Sequence, residues 1–380
     1  SAASGKAAGV VTTSGTAVAN LLPAAVESDR SCQPLLFLTA DRPKRLKNCG
    51  ANQTVNQEDF LTSVCRSVEY GPPKGIHCIS QSDLRNLVEN CWGKAHSNPG
   101  PVHINLSFEE PLYPSSIEQK QVWGGWKPKD FENGVETIKL KKNKVQSYNE
   151  EIPSLDPFKP GVIIVGPWRG DSNSLMAFKS SLRKWHDLTG WPIFADPLSG
   201  LSKNDSGLIY YWELVLSEYV QPQNQKLQVL RLGPMPSSRT LEAWLKKLGK
   251  KQILITEGES RYLDPIGLAK QWSNGFVSWM ELFFRKNNLS DLVPLEKKFL
   301  SSIGNLKKND VLIEGWIKEK FSLNSNLTEP SLAHLVPRLL PSKLPVMLSA
   351  SSPIRDWLTY SGVGSFSRRC YGFRGASGID

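Results

Sequence analysis

Short runs of aliphatic and β-branched residues recur along the chain, and most of them close on a small, polar or turn-forming residue before a helical pattern begins. The runs are apolar throughout and do not alternate with polar residues, which is typical of strands buried on both faces of a parallel sheet. This pattern predicts an α/β protein with parallel, Rossmann-like sheets in three layers. The predicted strands are 9–13, 34–40, 102–106, 161–166, 191–195, 227–233, 252–257 and 345–349.

Polar stretches divide these strands into three predicted units. Residues 1–115 form the first unit and 158–330 the second, while 331–380 hold only the start of a third, because one strand does not make a sheet. Residues 116–157 are predicted to be a linker, since few of them are of the buried type. The linker contains a basic stretch without interleaved aromatic residues, so we expect a solvated segment and no nucleic-acid site.

Composition places the 380-residue chain among ordinary globular proteins. Hydrophobic residues make up 39% and charged residues 22%, and no apolar run reaches the roughly 20 residues of a membrane span. The six cysteines form no Cys-x-x-Cys pair, which excludes a secreted disulfide scaffold and favours reduced thiols in a cytoplasmic protein. The net charge of +10 leaves an anionic partner open.

Ligands of open α/β sheets bind beyond the carboxyl ends of the strands, so the loops after the predicted strands are the candidate sites. The first loop holds Ser14, Gly15 and Thr16, small residues that let a ligand approach the backbone just before a helix N-terminus. It lacks the Gly-Lys-Ser/Thr ending of a phosphate-binding loop. A strand-to-helix turn without a ligand remains the alternative.

A second candidate loop follows the second predicted strand. Arg42 stands at the strand end, where its guanidinium can form two parallel hydrogen bonds to a carboxylate. An ordinary surface ion pair of Asp41 or Arg42 is the alternative. Asn52 and Gln53 follow in a polar loop, and such a cluster of uncharged amides is unusual in a mere linker.

Two arginines are predicted in the first turns of helices, where the helix dipole disfavours a cation by about 0.3–1 kcal/mol. Ser237 or Ser238 as N-cap places Arg239 there, and Ser352 as N-cap places Arg355 there. An anionic ligand would compensate for this cost, although surface arginines also occur at helix starts. If their loops converge, an anion pocket would be lined by Arg42, Arg239, Arg355 and Arg374.

Other kinds of site are not indicated by the sequence. The five histidines have no metal-ligand spacing, and the chain holds no Gly-x-Ser-x-Gly, His-Glu-x-x-His or Gly-x-Gly-x-x-Gly motif. Residues 166–170 follow a strand as a dinucleotide-binding loop would, but they lack its glycine pattern. The middle unit is therefore predicted to be a Rossmann-like scaffold without a nucleotide.

The ordered set of loop motifs resembles a thiamine-diphosphate enzyme family of menaquinone and phylloquinone biosynthesis, the 2-succinyl-5-enolpyruvyl-6-hydroxy-3-cyclohexene-1-carboxylate synthases. In the first unit the similar motifs are Thr-Thr-Ser-Gly-Thr-Ala-Val-Ala-Asn at 12–20, Leu-Thr-Ala-Asp-Arg-Pro at 38–43, Gly-Ala-Asn-Gln at 50–53 and Gly-Pro-Val-His-Ile-Asn at 100–105. Further along they are Ala-Asp-Pro-Leu-Ser at 195–199, Leu-Gly-Pro at 232–234 and Arg-Gly-Ala-Ser-Gly-Ile-Asp at 374–380. The resemblance covers the chain except for residues 115–160.

This resemblance implies a fold, a reaction and cofactors. The three units would be the pyrimidine-binding, central and diphosphate-binding domains of the family. The reaction would be decarboxylation of 2-oxoglutarate on thiamine diphosphate, followed by 1,4-addition of the succinyl unit to isochorismate. Mg²⁺ or Mn²⁺ would hold the cofactor's diphosphate, and the complete enzyme would be a homodimer or homotetramer with neither a nucleic-acid partner nor a membrane span.

The resemblance also carries roles to single residues. Asn52 and Gln53 match catalytic positions, with Gln53 near the thiazolium ring. The loop near the cofactor's pyrimidine is matched by Ser14, Gly15 and Thr16. Substrate-binding positions are matched by Arg42, Arg239 (where the family commonly has Lys), Ser351, Arg355 and Arg374.

Two features of the family are not found in this sequence. The glutamate that protonates the aminopyrimidine would lie before Ser1, and the Gly-Asp-Gly…Asn element that binds the metal would lie after Asp380. We therefore expect a fragment that carries about half of an active site and is inactive by itself. Another thiamine-diphosphate enzyme, such as an acetohydroxyacid synthase type, and a non-catalytic anion-binding or oligomer-partner chain are the alternatives.

Overall fold

Parallel sheets form the frame of the chain, which divides into two compact units, Ser1–Tyr148 and Asn149–Asp380. Each unit is described by itself. The computed structural model describes residues 1–73, 75–76, 79–110, 112–113, 115–117, 152–216, 227–259, 261–287, 297–322, 326–341 and 343–376. Most of the predicted linker at 116–157 lies outside these residues, so the predicted domain boundaries remain predictions.

The first unit is a parallel sheet of four strands in the order β1-β2-β4-β3. Its strands are β1 (Ala8–Thr12), β2 (Leu35–Asp41), β3 (Val68–Tyr70) and β4 (Pro101–Ser107). Its helices are α1 (Thr16–Ala19), α2 (Leu22–Ser31), α3 (Gln57–Phe60) and α4 (Gln81–Ser97).

Alternate residues of the inner strand β2 fill two separate cores. Phe37 is buried on one face against Ala25 of α2 and the start of α1. Its neighbour Leu36 points to the other face, where it packs with Cys91 of α4. Because successive side chains of a strand point to opposite faces, this sheet is covered by helices on both sides.

The second unit contains a parallel five-stranded sheet in the order β6-β5-β7-β8-β9. Its strands are β5 (Gly161–Val165), β6 (Ile193–Ala195), β7 (Gln228–Leu232), β8 (Gln252–Ile255) and β9 (Ala269–Trp272). The helices along this part of the chain are α5 (Leu175–Thr189), α6 (Trp212–Val215), α7 (Arg239–Leu248) and α8 (Phe276–Lys286).

Aromatic side chains fill much of the core around this sheet. Trp185 of α5 is fully buried and meets Trp279 and Phe283 of α8 edge to face, with ring centroids 5.1 Å apart in both pairs. Phe194 of β6 stacks on Trp212 at 5.7 Å. Such pairs add about 0.5–1.5 kcal/mol each to the gain from burial.

The last part of the second unit adds a parallel pair of short strands and three helices. Leu348 and Cys370 of this pair pack with Ile354, Trp357 and Leu198 in one buried cluster. The strands are β10 (Val346–Leu348) and β11 (Cys370–Gly372), and the helices are α9 (Lys297–Lys320), α10 (Glu329–Leu339) and α11 (Ser352–Tyr360).

All eight predicted strands are present and parallel, which confirms the α/β class. The prediction that they are buried on both faces is wrong for β1 and β10, where the side chains of Val11 and Met347 are 78% and 54% exposed because both are edge strands. Sequence reasoning missed β3, β9 and β11, which also lie at sheet edges. These three strands are only three or four residues long and none is a continuous run of aliphatic residues, so the pattern did not mark them.

Two further observations bear on the class of protein. None of the helices described here is long and apolar enough to cross a membrane. The cysteines described are free, namely Cys32, Cys49, Cys65, Cys91 and Cys370.

Candidate functional site

The loop between β1 and α1 lies at the carboxyl edge of the first sheet. Ser14 is 6% exposed, Gly15 is the N-cap residue of α1, and the side chain of Thr16 is exposed. Gly15 has φ +86° and ψ −140°, a conformation in which a side chain is strained. The predicted strand-to-helix turn is therefore confirmed, and it places backbone at the edge where ligands of parallel sheets bind.

Asn52 and Gln53 lie in a loop beside this turn, and both are exposed. A Cβ atom added to Gly15 would come within 3.4 Å of Gln53 Cα, so the two loops are in close contact. Gln53 has φ +58°, a left-handed conformation that is uncommon outside glycine. Strained backbone of this kind clusters at functional sites, so this geometry agrees with a role for Gln53.

Gln57, four residues further on, was not singled out by sequence reasoning. It is fully buried at the start of α3, and its Oε1 accepts a hydrogen bond from Gly15 N at 2.9 Å. Its Nε2 donates to Ala40 O and to Asn105 Oδ1, both at 2.8 Å. No sequence pattern marks a single glutamine as buried, because its partners come from distant parts of the chain.

Asp41 is the centre of a buried polar cluster at the end of β2. It is 3% exposed, and its Oδ2 accepts hydrogen bonds from Asn105 Nδ2 at 2.7 Å and from Lys47 Nζ at 2.8 Å. Burial alone would lower the pKa of Lys47, but its hydrogen bonds to Asp41 and Glu58 outweigh this and hold the pKa above its usual value. Among the described residues, Asp41 thus forms its ion pair with Lys47, and it contacts the neighbouring Arg42 through the Arg42 backbone N–H and not through the guanidinium.

Arg42 has a weaker partner. Its Nη1 lies 3.5 Å from Glu110 Oε1, and the Glu110 side chain is 64% exposed. The surface ion pair considered as an alternative is therefore present, but exposed pairs contribute only about 0–1 kcal/mol. A carboxylate ligand could replace Glu110 at little cost.

His103 belongs to the same polar layer. It is fully buried on β4, and its Nε2 lies 2.7 Å from Thr39 Oγ1. Thr39 Oγ1 donates its proton to Asn105 Oδ1 at 2.9 Å, so His103 Nε2 must be the donor in their shared bond. Burial lowers the pKa of His103 to about 4, and the imidazole is neutral at physiological pH.

In the second unit, Asp196 connects two loops at the carboxyl edge of the five-stranded sheet. It is fully buried, and its Oδ1 accepts from Leu198 N at 2.8 Å while its Oδ2 accepts from Ser237 N at 3.4 Å. Burial raises the pKa of Asp196, and the hydrogen bond from Leu198 and the positive charge of Arg374 counteract part of that effect.

Arg239 begins α7 as predicted. Ser238 is the N-cap residue, because its Oγ accepts from Leu241 N at 2.8 Å. The Arg239 side chain is exposed, and Glu242 supplies an acidic group to the same first turn. The unfavourable position of this cation is therefore partly compensated within the chain.

Arg355 lies in the first turn of α11, with no acidic residue in that turn and an exposed side chain. The predicted N-cap is wrong by one position, since Ser351 and not Ser352 precedes the helix, and Pro353 is its second residue. Ser351 adopts φ +68° and makes no side-chain capping bond. Because no side chain caps this helix start, Arg355 stands at a helix end that can accept an anion.

Arg374 follows β11. Its carbonyl oxygen accepts from Arg169 Nη2 at 3.0 Å, and its Nε is buried without a partner among the residues that the structure describes. Arg169 itself lies 3.7 Å from Glu259. The backbone before the glycine-rich end of the chain is thus fixed against the loop after β5.

The crevice between β5 and β7, where a Rossmann sheet would bind a dinucleotide, is narrowed where two loops touch, and a small cavity between them is lined in part by Trp168, Arg169 and Glu259. A Cβ atom at Gly166 would lie 1.6 Å from Pro234 O, and one at Gly233 would lie 3.0 Å from Pro167 O. These contacts explain why both positions hold glycine, and the absence of a nucleotide from the middle unit stays a prediction.

No group of three or more His, Cys, Asp or Glu residues that could hold a metal ion is found in the described part of the chain. The structure brings Ser14, Gly15, Thr16, Asn52 and Gln53 together in the first unit. In the second unit, Arg239 follows β7 at the start of α7. Ser351 precedes α11, Arg355 lies within α11, and Arg374 follows β11.

Comparison with known proteins agrees with the family resemblance. No protein-family model matches the chain. A Prochlorococcus marinus (strain NATL2A) protein named 2-succinyl-5-enolpyruvyl-6-hydroxy-3-cyclohexene-1-carboxylate synthase is 54% identical over 387 residues, which cover 100% of this chain and 64% of that protein. A protein of the same name from Synechococcus sp. (strain CC9902) is 47% identical, over 100% of this chain and 65% of that protein. The chain spans 64–66% of the length of the curated relatives it matches, and over its whole length it is similar to the 2-succinyl-5-enolpyruvyl-6-hydroxy-3-cyclohexene-1-carboxylate synthases.

Proposed function

We propose that this chain is the larger part of a synthase that decarboxylates 2-oxoglutarate and adds the resulting succinyl unit to isochorismate. The observation that carries the proposal is identity of 46–54% along the whole chain to proteins named for the product of this reaction. The site residues support it, because both substrates are multiply anionic and the exposed cations Arg239 and Arg355 stand at helix starts.

Thiamine diphosphate is the proposed cofactor, and it would supply the nucleophilic carbon and the electron sink for decarboxylation. The residues at the first carboxyl edge fit its neutral pyrimidine ring. Gly15 has no side chain to obstruct a ligand, and the exposed groups next to it, on Thr16, Asn52 and Gln53, are uncharged hydrogen-bonding groups. Mg²⁺ as second cofactor, a homo-oligomeric assembly and a cytoplasmic location are proposed from the family resemblance alone.

In this proposal the chain's own residues bind and orient the reactants. Gln53 and Asn52 would hold the reacting carboxylate and carbonyl groups next to the cofactor. By the family resemblance, Arg42 of the first unit and Arg239, Ser351, Arg355 and Arg374 of the second would each bind carboxylates of the two substrates. Holding reactants in the attacking geometry can supply several kcal/mol of the barrier reduction.

The direct test uses a chimera in which the flanking segments of the Prochlorococcus marinus (strain NATL2A) relative complete the chain. With thiamine diphosphate, Mg²⁺ and 2-oxoglutarate, the chimera is expected to consume isochorismate and to be inactive with 2-oxobutyrate as the acceptor. Turnover with 2-oxobutyrate in place of isochorismate would favour an acetohydroxyacid synthase type. No turnover by a folded chimera would favour a non-catalytic role.

A further inference from the structure

The amide of Gln57 is fully engaged although the residue is completely buried. Its oxygen accepts a hydrogen bond from Gly15 N, and its two N–H hydrogens are donated to Ala40 O and Asn105 Oδ1. The orientation of the amide follows from these partners, since a backbone N–H only donates and a backbone carbonyl only accepts. Exchanging its oxygen and nitrogen would break the bonds to both backbone groups.

These three bonds connect three separate segments at the carboxyl edge of the first sheet. Gly15 belongs to the turn after β1, Ala40 to the end of β2, and Asn105 to β4. The connection extends outward, because Asn105 Nδ2 donates to Asp41, whose Oδ1 accepts from Arg42 N at 2.7 Å. Gln57 thus joins the Gly15 turn to the backbone that carries Arg42.

The Gly15 turn would be poorly fixed without this bond. Glycine can adopt many backbone conformations besides the one observed at Gly15. The helix α1 that follows is only four residues long. Glycine loses more conformational freedom on ordering than any other residue. The turn also lies against Gln53, which has a left-handed backbone, so a shift of Gly15 would change the surroundings of Gln53 as well.

We propose that Gln57 is the positioning residue of this site, which holds the 14–16 turn and Gln53 in the arrangement that the cofactor's pyrimidine requires. The proposal rests on the proposed function for the identity of the ligand. Its structural part, the fixing of the turn, does not depend on that function. The two parts can therefore be tested separately.

The structural part is tested by hydrogen–deuterium exchange on the 380-residue chain with Gln57→Met and Gln57→Glu. Loss of the buried bond should raise exchange across residues 13–17 and 51–54 about tenfold in Gln57→Met. Gln252→Met is the matched control, because Gln252 is also a buried glutamine with backbone partners, but in the second unit. Exchange in these two segments within twofold of the wild type would overturn the proposal.

Gln57→Glu keeps the shape of the side chain and serves if Gln57→Met does not fold. The protonated carboxyl group of this variant can donate one hydrogen bond to Ala40 O or to Asn105 Oδ1. The ionised carboxylate has no hydrogen to donate, and these two acceptor oxygens repel it. Protection of residues 13–17 should therefore recover as the pH falls from about 8 to about 5.5. The wild type is the control for other groups that titrate nearby, because it carries all of them. These titratable and charged groups are Asp41 on β2, His103 on β4, Glu58 and Asp59 on α3, and Lys47.

The functional part is tested on the completed chimera by the affinity for thiamine diphosphate, measured as quenching of tryptophan fluorescence. Gln57→Met should weaken binding about tenfold, while Gln252→Met should leave it unchanged. Altered exchange with unchanged cofactor affinity would overturn the role in cofactor positioning. Unchanged exchange would overturn the whole proposal, and a wild-type chimera that binds no thiamine diphosphate would refute the proposed function and leave only the fixing of the turn.

Discussion

At the scale of single residues, two of the candidate site residues have an uncommon backbone conformation. Within the described residues, the non-glycine residues with positive φ are Cys32, Asn48, Gln53 and Ser351. Two of these are residues to which the family resemblance assigns a role. Left-handed backbone in a residue with a side chain costs about 1–3 kcal/mol and persists where the surrounding structure enforces it.

The Gln53→Gly substitution should therefore increase stability and decrease activity. Glycine adopts φ +58° without strain, so the variant is expected to be more stable by about 0.5–1 kcal/mol, measured by urea denaturation. The completed chimera with this change should lose most of its activity, because the amide is gone. Gln33→Gly, at a partly buried position outside the site, serves as control and should be destabilised. Lower stability of Gln53→Gly would show that the strain argument is wrong.

His103 predicts a dependence of stability on pH. Its pKa is about 4 in the folded chain and 6.5 as the ordinary value, so the unfolded state binds more protons between these two pH values. The free energy of unfolding should therefore fall as the pH decreases from 6.5 to 4, by up to about 3 kcal/mol from this residue. His103→Gln cannot be protonated, so its unfolding free energy should fall less over this range. Parallel curves for the two proteins would contradict the assignment.

At the scale of elements, two glycines of the second unit differ in what surrounds them. Gly166 ends β5 against the backbone of Pro234, whereas Gly315 lies within α9 with nothing within 4 Å of an added Cβ. The first position permits no side chain because the loops after β5 and β7 touch. The second has no packing reason to be glycine.

Alanine at these two positions should have opposite effects. Gly166→Ala is expected to destabilise the chain by at least about 3 kcal/mol, since the loops must separate. Gly315→Ala should stabilise it by about 1 kcal/mol, because alanine is the better helix former. Thermal unfolding followed by circular dichroism measures both changes. If Gly166→Ala were neutral, the crevice between β5 and β7 would be open enough for a ligand.

At the scale of the whole molecule, the net charge of +10 comes from cations whose surroundings differ. Arg231 on β7 is buried with Asp264 at 2.6 Å, and Lys47 is paired with Asp41 at 2.8 Å. These two cations are structural. Arg355 is exposed in the first turn of α11, and its acidic neighbour Asp356 follows that turn, so we propose Arg355 as a cation for an anionic ligand.

Arg355→Ala in the completed chimera should raise the KM for a carboxylate substrate about tenfold or more with little loss of stability. Arg183→Ala is the control, because Arg183 is an exposed arginine within α5 whose ion pair with Asp187 is loose at 3.9 Å. Steady-state kinetics with 2-oxoglutarate and isochorismate varied in turn would show which substrate Arg355 binds. Unchanged kinetics for both substrates would remove Arg355 from the site.

The sequence by itself determined the α/β class, the eight strands with continuous apolar runs, and the first turns that contain Arg239 and Arg355. These follow from local periodicity and capping, which depend on neighbouring residues. The ordered loop motifs also indicated the resemblance to this family before any comparison.

Only the tertiary structure decided which polar residues are buried and what they bind. Gln57 looks like any surface glutamine in the sequence, and its partners come from β2, β4 and the turn after β1. The edge strands β3, β9 and β11 and the left-handed backbone at Gln53 and Ser351 were likewise not apparent from the pattern. In each case the deciding energy comes from contacts between segments far apart in the chain, which a local pattern does not contain.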